Sequence, residues 1–170
     1  MKHEIEDLNF VEFSASKQKG LINKLLYLVS KVLRKISKLS FFFENICTYK
    51  NFKTLKNFKR LIITNDRIAL SLIPFLIVFK IFKLNSSSVI VMGLLAKETS
   101  NLLSHITQRL LLNIFFKLVD NFIFLSKGEF NQANISFKRY KNKFHFIPFS
   151  VDEKYWVRDE SKKKNKILFI

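Results

Sequence analysis

From residue 61 onward, short and nearly all-apolar runs alternate with longer segments of helical periodicity. The runs are residues 61–64 (LIIT), 88–93 (SVIVMG), 121–126 (NFIFLS) and 144–149 (FHFIPF). A strand covered on both faces has no polar side to show, so such runs read as strands of a buried parallel sheet. Between them, residues 67–83, 100–118 and 127–140 are long enough to cross the sheet and return a parallel strand. Polar residues mark the helix starts: Asn65 and Asp66 for the first, Thr99 or Ser100 for the second, and Ser126 for the third. Ser126 and Glu129 have the spacing of a capping box. The predicted fold is α/β and Rossmann-like, a largely parallel sheet with helices on both faces.

Upstream, residues 9–13 read as a strand and residues 21–39 as a long helix. Ile22, Leu25, Leu26, Val29, Leu33, Ile36 and Leu39 recur at helical spacing and mark one apolar face. Lys24, Lys31, Lys35 and Lys38 fall together on another. A second basic segment, residues 49–60, places Lys50, Lys53, Lys56 and Lys59 three apart, a spacing that drifts around a helix of 3.6 residues per turn.

Composition sharpens this picture in one respect. The 170 residues are 48% hydrophobic, with 3 Gly and 2 Pro, enough apolar material for one core and one domain of this size. Charge is the unusual feature: 30 Lys and Arg stand against 13 Asp and Glu, a net charge of +17. Such an excess points to an anionic partner, whether phospholipid, nucleic acid or phosphorylated substrate. An AT-rich coding bias, which favours Lys, Asn, Ile and Phe, is a second source of the same composition. The acids Glu4, Glu6 and Asp7 are unlike a secretory leader, and the apolar stretch 68–79 is far shorter than the roughly 20 residues of a membrane span. The expected location is the cytoplasm, peripheral at the inner face of the membrane, with Lys24, Lys31, Lys35 and Lys38 against an anionic surface.

Catalytic signatures are sparse. Gly20, Gly93 and Gly128 are isolated, so neither a phosphate loop nor a dinucleotide fingerprint is present. Cys47 is the single cysteine and lies in an apolar run, which predicts a buried thiol in a reducing compartment. The three histidines lack metal-ligand spacing, and neither a metal nor a cofactor is expected; His105 and Arg109, one helical turn apart, read as a solvated polar patch. The Phe residues sit in core-like runs rather than among basic residues on an exposed sheet, which argues against nucleic acid.

Residues 120–170 carry the most specific signal. Asp120 precedes a hydrophobic strand that ends in Ser126; a helix follows, then a strand leading into Ile147 and Pro148, with Val151, Asp152 and Trp156 beyond and the apolar run KILFI last. This order resembles the junction between the two Rossmann domains of family 4 glycosyltransferases of the GT-B type. The resemblance implies that residues 1–149 form the acceptor-side domain, that 150–165 form an interdomain linker, and that 166–170 open the nucleotide-sugar domain. It further implies transfer of a sugar from a nucleotide-sugar donor to a glycan or lipid-linked acceptor, by a chain inactive unless a donor domain is supplied, for instance on a separate polypeptide. Ligands in such sheets bind beyond the carboxyl ends of the strands, so Asn65, Asp66, Gly93, Ser126 and Lys127 are the candidate substrate-binding residues. Ser126 is also explained by capping alone. Pro148, Ser150 and Asp152 would shape a hinge turn, with Ser150 where the family carries Gly, and Met92 and Gly93 stand where many members place a His. No residue of this chain is assigned a catalytic role. A basic membrane-binding module and a nucleic-acid-binding domain remain as alternative readings of the composition.

Overall fold

The computed structural model describes residues 11, 13, 20–96 and 101–148. Strands β1 (Arg60–Ile63), β2 (Ser86–Val91), β3 (Asn121–Phe124) and β4 (Phe144–Phe146) form one sheet in the order β1-β2-β3-β4. Every neighbouring pair is parallel: Ile63 is opposite Val89, Val91 opposite Phe124, and Phe124 opposite Phe146. The chain is therefore α/β with a four-stranded parallel sheet, in the order its βαβ alternation predicts. Seven helices are described: α1 (Leu21–Ser37), α2 (Phe43–Ile46), α3 (Tyr49–Leu55), α4 (Asp66–Ser71), α5 (Ile73–Phe82), α6 (Leu102–Leu118) and α7 (Lys127–Ser136). A 3₁₀ segment, Lys138–Lys143, leads from α7 into β4.

Several boundaries differ from expectation, each for a local reason. The single helix expected over 67–83 is two, α4 and α5, interrupted at Leu72. Pro74 lies in the first turn of α5, where its missing N–H costs nothing; inside a continuous helix it would leave a carbonyl unpaired. Asn65 caps α4 by accepting the N–H of Arg67 at 2.9 Å. The second basic segment is helical only to Leu55, because Arg60 already belongs to β1. Residues 9–13, expected as a strand, lie outside the described residues except for Val11 and Phe13, and neither of these is in a strand.

Side chains along the strands alternate between two unequal environments. Leu61, Ile63, Val89, Val91, Phe122, Phe124 and Phe144 are buried and meet Leu112, Phe115 and Phe116 of α6 in one core. Its centre is aromatic: Phe116 packs edge-on against Phe122 at 4.8 Å and Phe137 at 4.7 Å between ring centroids. The alternate positions, including Ile62, Ser88, Ile90, Asn121, Ile123 and His145, are half-buried or exposed. On that face Asn121 Nδ2 reaches Ser88 Oγ at 3.5 Å, and Asn121 Oδ1 lies 3.2 Å from His145 Nε2.

The amino end of the sheet is fastened by Asp120 and Lys143. Asp120 pairs with Lys80 of α5 and accepts the backbone N–H of Ser87 at 3.0 Å. Burial pushes its carboxyl up, but the Lys80 hydrogen bond, the Ser87 N–H and the charges of Lys80 and Lys143 outweigh this and hold it below the usual carboxylate value. Lys143 donates to the carbonyls of Phe116, Lys117 and Val119 at 2.9, 3.1 and 2.6 Å, satisfying the carboxyl end of α6.

Candidate functional site

Parallel strands bring all their carboxyl ends to one edge, and the turns there can approach a ligand with free backbone groups. Along this edge run Asn65 and Asp66 after β1, Met92 and Gly93 after β2, Ser126 and Lys127 after β3, and Ile147 and Pro148 after β4. Asn65, Met92, Ser126, Lys127 and Pro148 are exposed, while Asp66 and Gly93 are half-buried. Ser150 and Asp152 of the expected hinge turn lie outside the described residues, as do residues 166–170.

Glu129 joins two of these positions. One carboxylate oxygen accepts the N–H of Gly93 at 3.0 Å and the other accepts the N–H of Leu95 at 2.8 Å. Two backbone donors converging on one anion make a small nest at the end of β2, and the turn needs Gly93 because its φ is +89°. Glu129 thereby ties the β2 turn to the first turn of α7, the turn that carries Ser126 and Lys127.

The capping box expected from Ser126 and Glu129 does not form. Ser126 is the N-cap residue, yet its side chain makes no capping hydrogen bond, and Glu129 is engaged across the sheet edge instead. Capping thus does not use up the Ser126 hydroxyl. Asn65, by contrast, is occupied as the cap of α4. Glu129 is the residue that sequence reasoning misplaced: its position fits a capping box equally well, and only the proximity of the β2 turn decides between the two.

Two hollows border the β1 side of this edge. One of about 290 Å³ is lined by Asn65, Arg67, Ile68 and Ser71 with Phe13 and Phe42. The other, about 540 Å³, runs along β1 from Arg60 to Thr64 and is closed by Val11, Phe13 and Phe58. The first combines an amide, a guanidinium and apolar walls, a mixture suited to a polar ligand with an anionic group. Arg67 was not among the residues expected at a site. Among the described residues, no group of three or more His, Cys, Asp or Glu is placed to hold a metal ion.

Cys47 is half-buried, and its thiol donates to the carbonyl of Ser71 at 3.2 Å. Burial, and then the charge of Glu44, push the thiol from its ordinary 9.0 up to about 12, the opposite of what a nucleophile requires.

Lys24, Lys31, Lys35 and Lys38 are all exposed. The apolar face of the same helix is divided between the core and the surface. Leu26 and Leu33 turn inward and Ile36 is half-buried, but Ile22, Leu25 and Val29 are exposed. The buried positions of α1 are Ser30 and Ser37. Ser30 Oγ accepts the N–H of Phe43 at 3.0 Å, and Ser37 Oγ accepts that of Leu39 at 3.2 Å while donating to the carbonyl of Leu33 at 2.7 Å. These hydroxyls satisfy backbone groups at the turn into α2, a demand that outranks the apolar periodicity of the helix.

No protein-family model matches the chain, and neither a curated protein nor a solved structure matches it.

Proposed function

We propose that this chain is the acceptor-side domain of a GT-B glycosyltransferase, acting on a glycan or lipid-linked acceptor with a sugar donor held by a second domain, in the same or a separate polypeptide. The observation that carries this reading is positional. Asp120 stands directly before β3, Ser126 is the N-cap of α7, and Ile147 and Pro148 follow β4, the order of strand, helix and strand that the family resemblance implies. In this reading Asp120 is a structural clamp at the amino end of the sheet, and the acceptor lies at the carboxyl edge.

The chemistry of that edge supports the same assignment. A saccharide presents hydroxyls that both donate and accept, and the edge offers the Ser126 hydroxyl, the first N–H groups of α7 and the Lys127 ammonium within one turn. Lys127, and Arg67 beside the smaller hollow, suit the phosphate of a lipid-linked acceptor. Glu129 keeps the β2 turn in register with these groups.

The test is a titration by heteronuclear NMR with free oligosaccharides and with polyprenyl-phosphate-linked saccharides. The expected result is amide shifts at Gly93, Leu95 and residues 126–129. Ser126→Ala combined with Lys127→Gln should weaken binding by at least about tenfold, since a hydroxyl and a charged donor are both removed. Saccharide binding that leaves these amides unmoved, or no binding by any member of the set, overturns the proposal.

A further inference from the structure

Helix α1 is amphipathic, but it is mounted with much of its apolar side outward. Leu21, Ile22, Leu25, Leu28, Val29 and Val32 are exposed, from 39% at Val29 to 87% at Leu21. At 100° per residue these six side chains share an arc of roughly 120°. Lys24, Lys31 and Lys35 occupy the adjoining arc, so a cationic rim borders the apolar stripe.

Its neighbour repeats the arrangement. Helix α6 packs against α1 and exposes Leu102, Leu103, Ile106, Leu110 and Ile114, while burying Ser104 and Gln108. Neither helix contains an Asp or Glu, whereas Arg109 and Lys117 add positive charge to α6. Scattered apolar residues on a surface need no explanation, but two adjoining helices that both expose apolar stripes do.

We infer that α1 and α6 form a monotopic membrane-docking face that inserts its leucines and isoleucines into the interface of an anionic bilayer. The choice of occupant rests on charge. A protein partner complementary to this surface would have to bring acids to every lysine, whereas an anionic leaflet supplies a uniform negative field above an apolar layer. The helix would lie in the plane, its apolar face about 5–10 Å into the boundary between headgroups and acyl chains, with the lysines reaching phosphates from the side. No helix among the described residues is long and apolar enough to cross a membrane. This inference does not depend on the glycosyltransferase reading, and its test uses no saccharide.

Co-sedimentation with phosphatidylcholine vesicles, with and without about a third phosphatidylglycerol, separates insertion from adhesion. The parent should bind the anionic vesicles. Two variants, Leu25→Ser with Leu28→Ser in α1 and Ile106→Ser with Leu110→Ser in α6, should each reduce that binding by about tenfold or more. These side chains are exposed, so circular dichroism should report an unchanged fold, and having one pair on each helix guards against either being misfolded. Lys24, Lys31, Lys35 and Lys38, all changed to Gln, should abolish the preference for anionic over neutral vesicles. Three results would overturn the inference: no vesicle binding by the parent, apolar variants that bind as well as the parent, or a parent that self-associates in solution through this face and loses that association in the Leu25→Ser, Leu28→Ser variant without ever binding vesicles.

Discussion

The carboxylate of Glu129 sits one turn into α7, where two sets of donors compete for it: the start of its own helix and the turn after β2. It takes Gly93 N–H and Leu95 N–H. The helix start is open to solvent and water can satisfy it, whereas the half-buried turn would otherwise hold unpaired amides. Local spacing could show that Glu129 was an acceptor, but the donor is 34 to 36 residues away in the chain and legible only in space. Cys47 is the opposite case, since its apolar surroundings in sequence already predicted an inert thiol. The value of about 12 makes this measurable. The folded value lies above the ordinary 9.0, so the thiol's contribution to stability is complete below pH 9 and is lost as pH rises toward 12. At pH 8 the native protein should react with a thiol-specific disulfide reagent at least about a hundredfold more slowly than the urea-unfolded chain, following the smaller thiolate fraction. A native rate within tenfold of the unfolded rate would mean that burial does not control this cysteine.

At the scale of elements, the four strands from residue 60 onward were legible because each is built on a run of apolar residues, with helix-length spacers between them. Their ends were less so. Ser86 and Ser87 belong to β2 although they are polar, because parallel pairing with Arg60 and Leu61 recruits their backbone whatever their side chains. Periodicity gave α1 its extent but not its orientation: a broad apolar arc can turn either flank inward, and Ser30 and Ser37 decided which. Such a preference for hydroxyls at a helix contact is invisible to any scale that scores only hydrophobicity. The carboxyl end of α6 depends on another element altogether, through the Lys143 ammonium on three of its carbonyls. Burial, and then repulsion from Lys80, lower the pKa of this group, and Asp120 opposes them. Lys143→Met keeps the aliphatic stem but strips the donors, and should cost about 2 kcal/mol, as expected for hydrogen bonds to a charged group. Urea unfolding followed by circular dichroism measures the loss, and amide exchange should quicken at Val119 and in the last turn of α6. A change under about 0.3 kcal/mol would show that solvent replaces the ammonium without penalty.

For the whole molecule the governing quantity is charge. A net +17 over 170 residues sets a repulsion that every compact arrangement must overcome, and the described residues contain two ion pairs, Arg34 with Glu44 and Lys80 with Asp120. The first spans 3.8 Å, with both side chains partly covered, and is a looser contact than the second. Salt acts on both sides of this balance. It screens the repulsion among the lysines of α1, α3 and the segment 138–143, and it also screens the few attractions. The Debye length falls from about 10 Å at 0.1 M to about 3 Å at 1 M, so long-range repulsion is removed first and contact pairs with partial burial last. The repulsive terms are many and exposed, while the Lys80–Asp120 pair is held by a hydrogen bond onto a half-buried carboxylate, so screening should stabilise the fold. Raising NaCl from low concentration to about 0.5 M should lift the unfolding midpoint by about 2–4 °C, near 1 kcal/mol for a domain of this length. Scanning calorimetry with NaCl and with KCl, which are equivalent screening salts, provides the measurement, and the rise should level off once the Debye length is shorter than the spacing between neighbouring lysines. A midpoint that falls with salt would mean that attractive pairs, and not the excess of lysine, dominate the electrostatics of the folded chain.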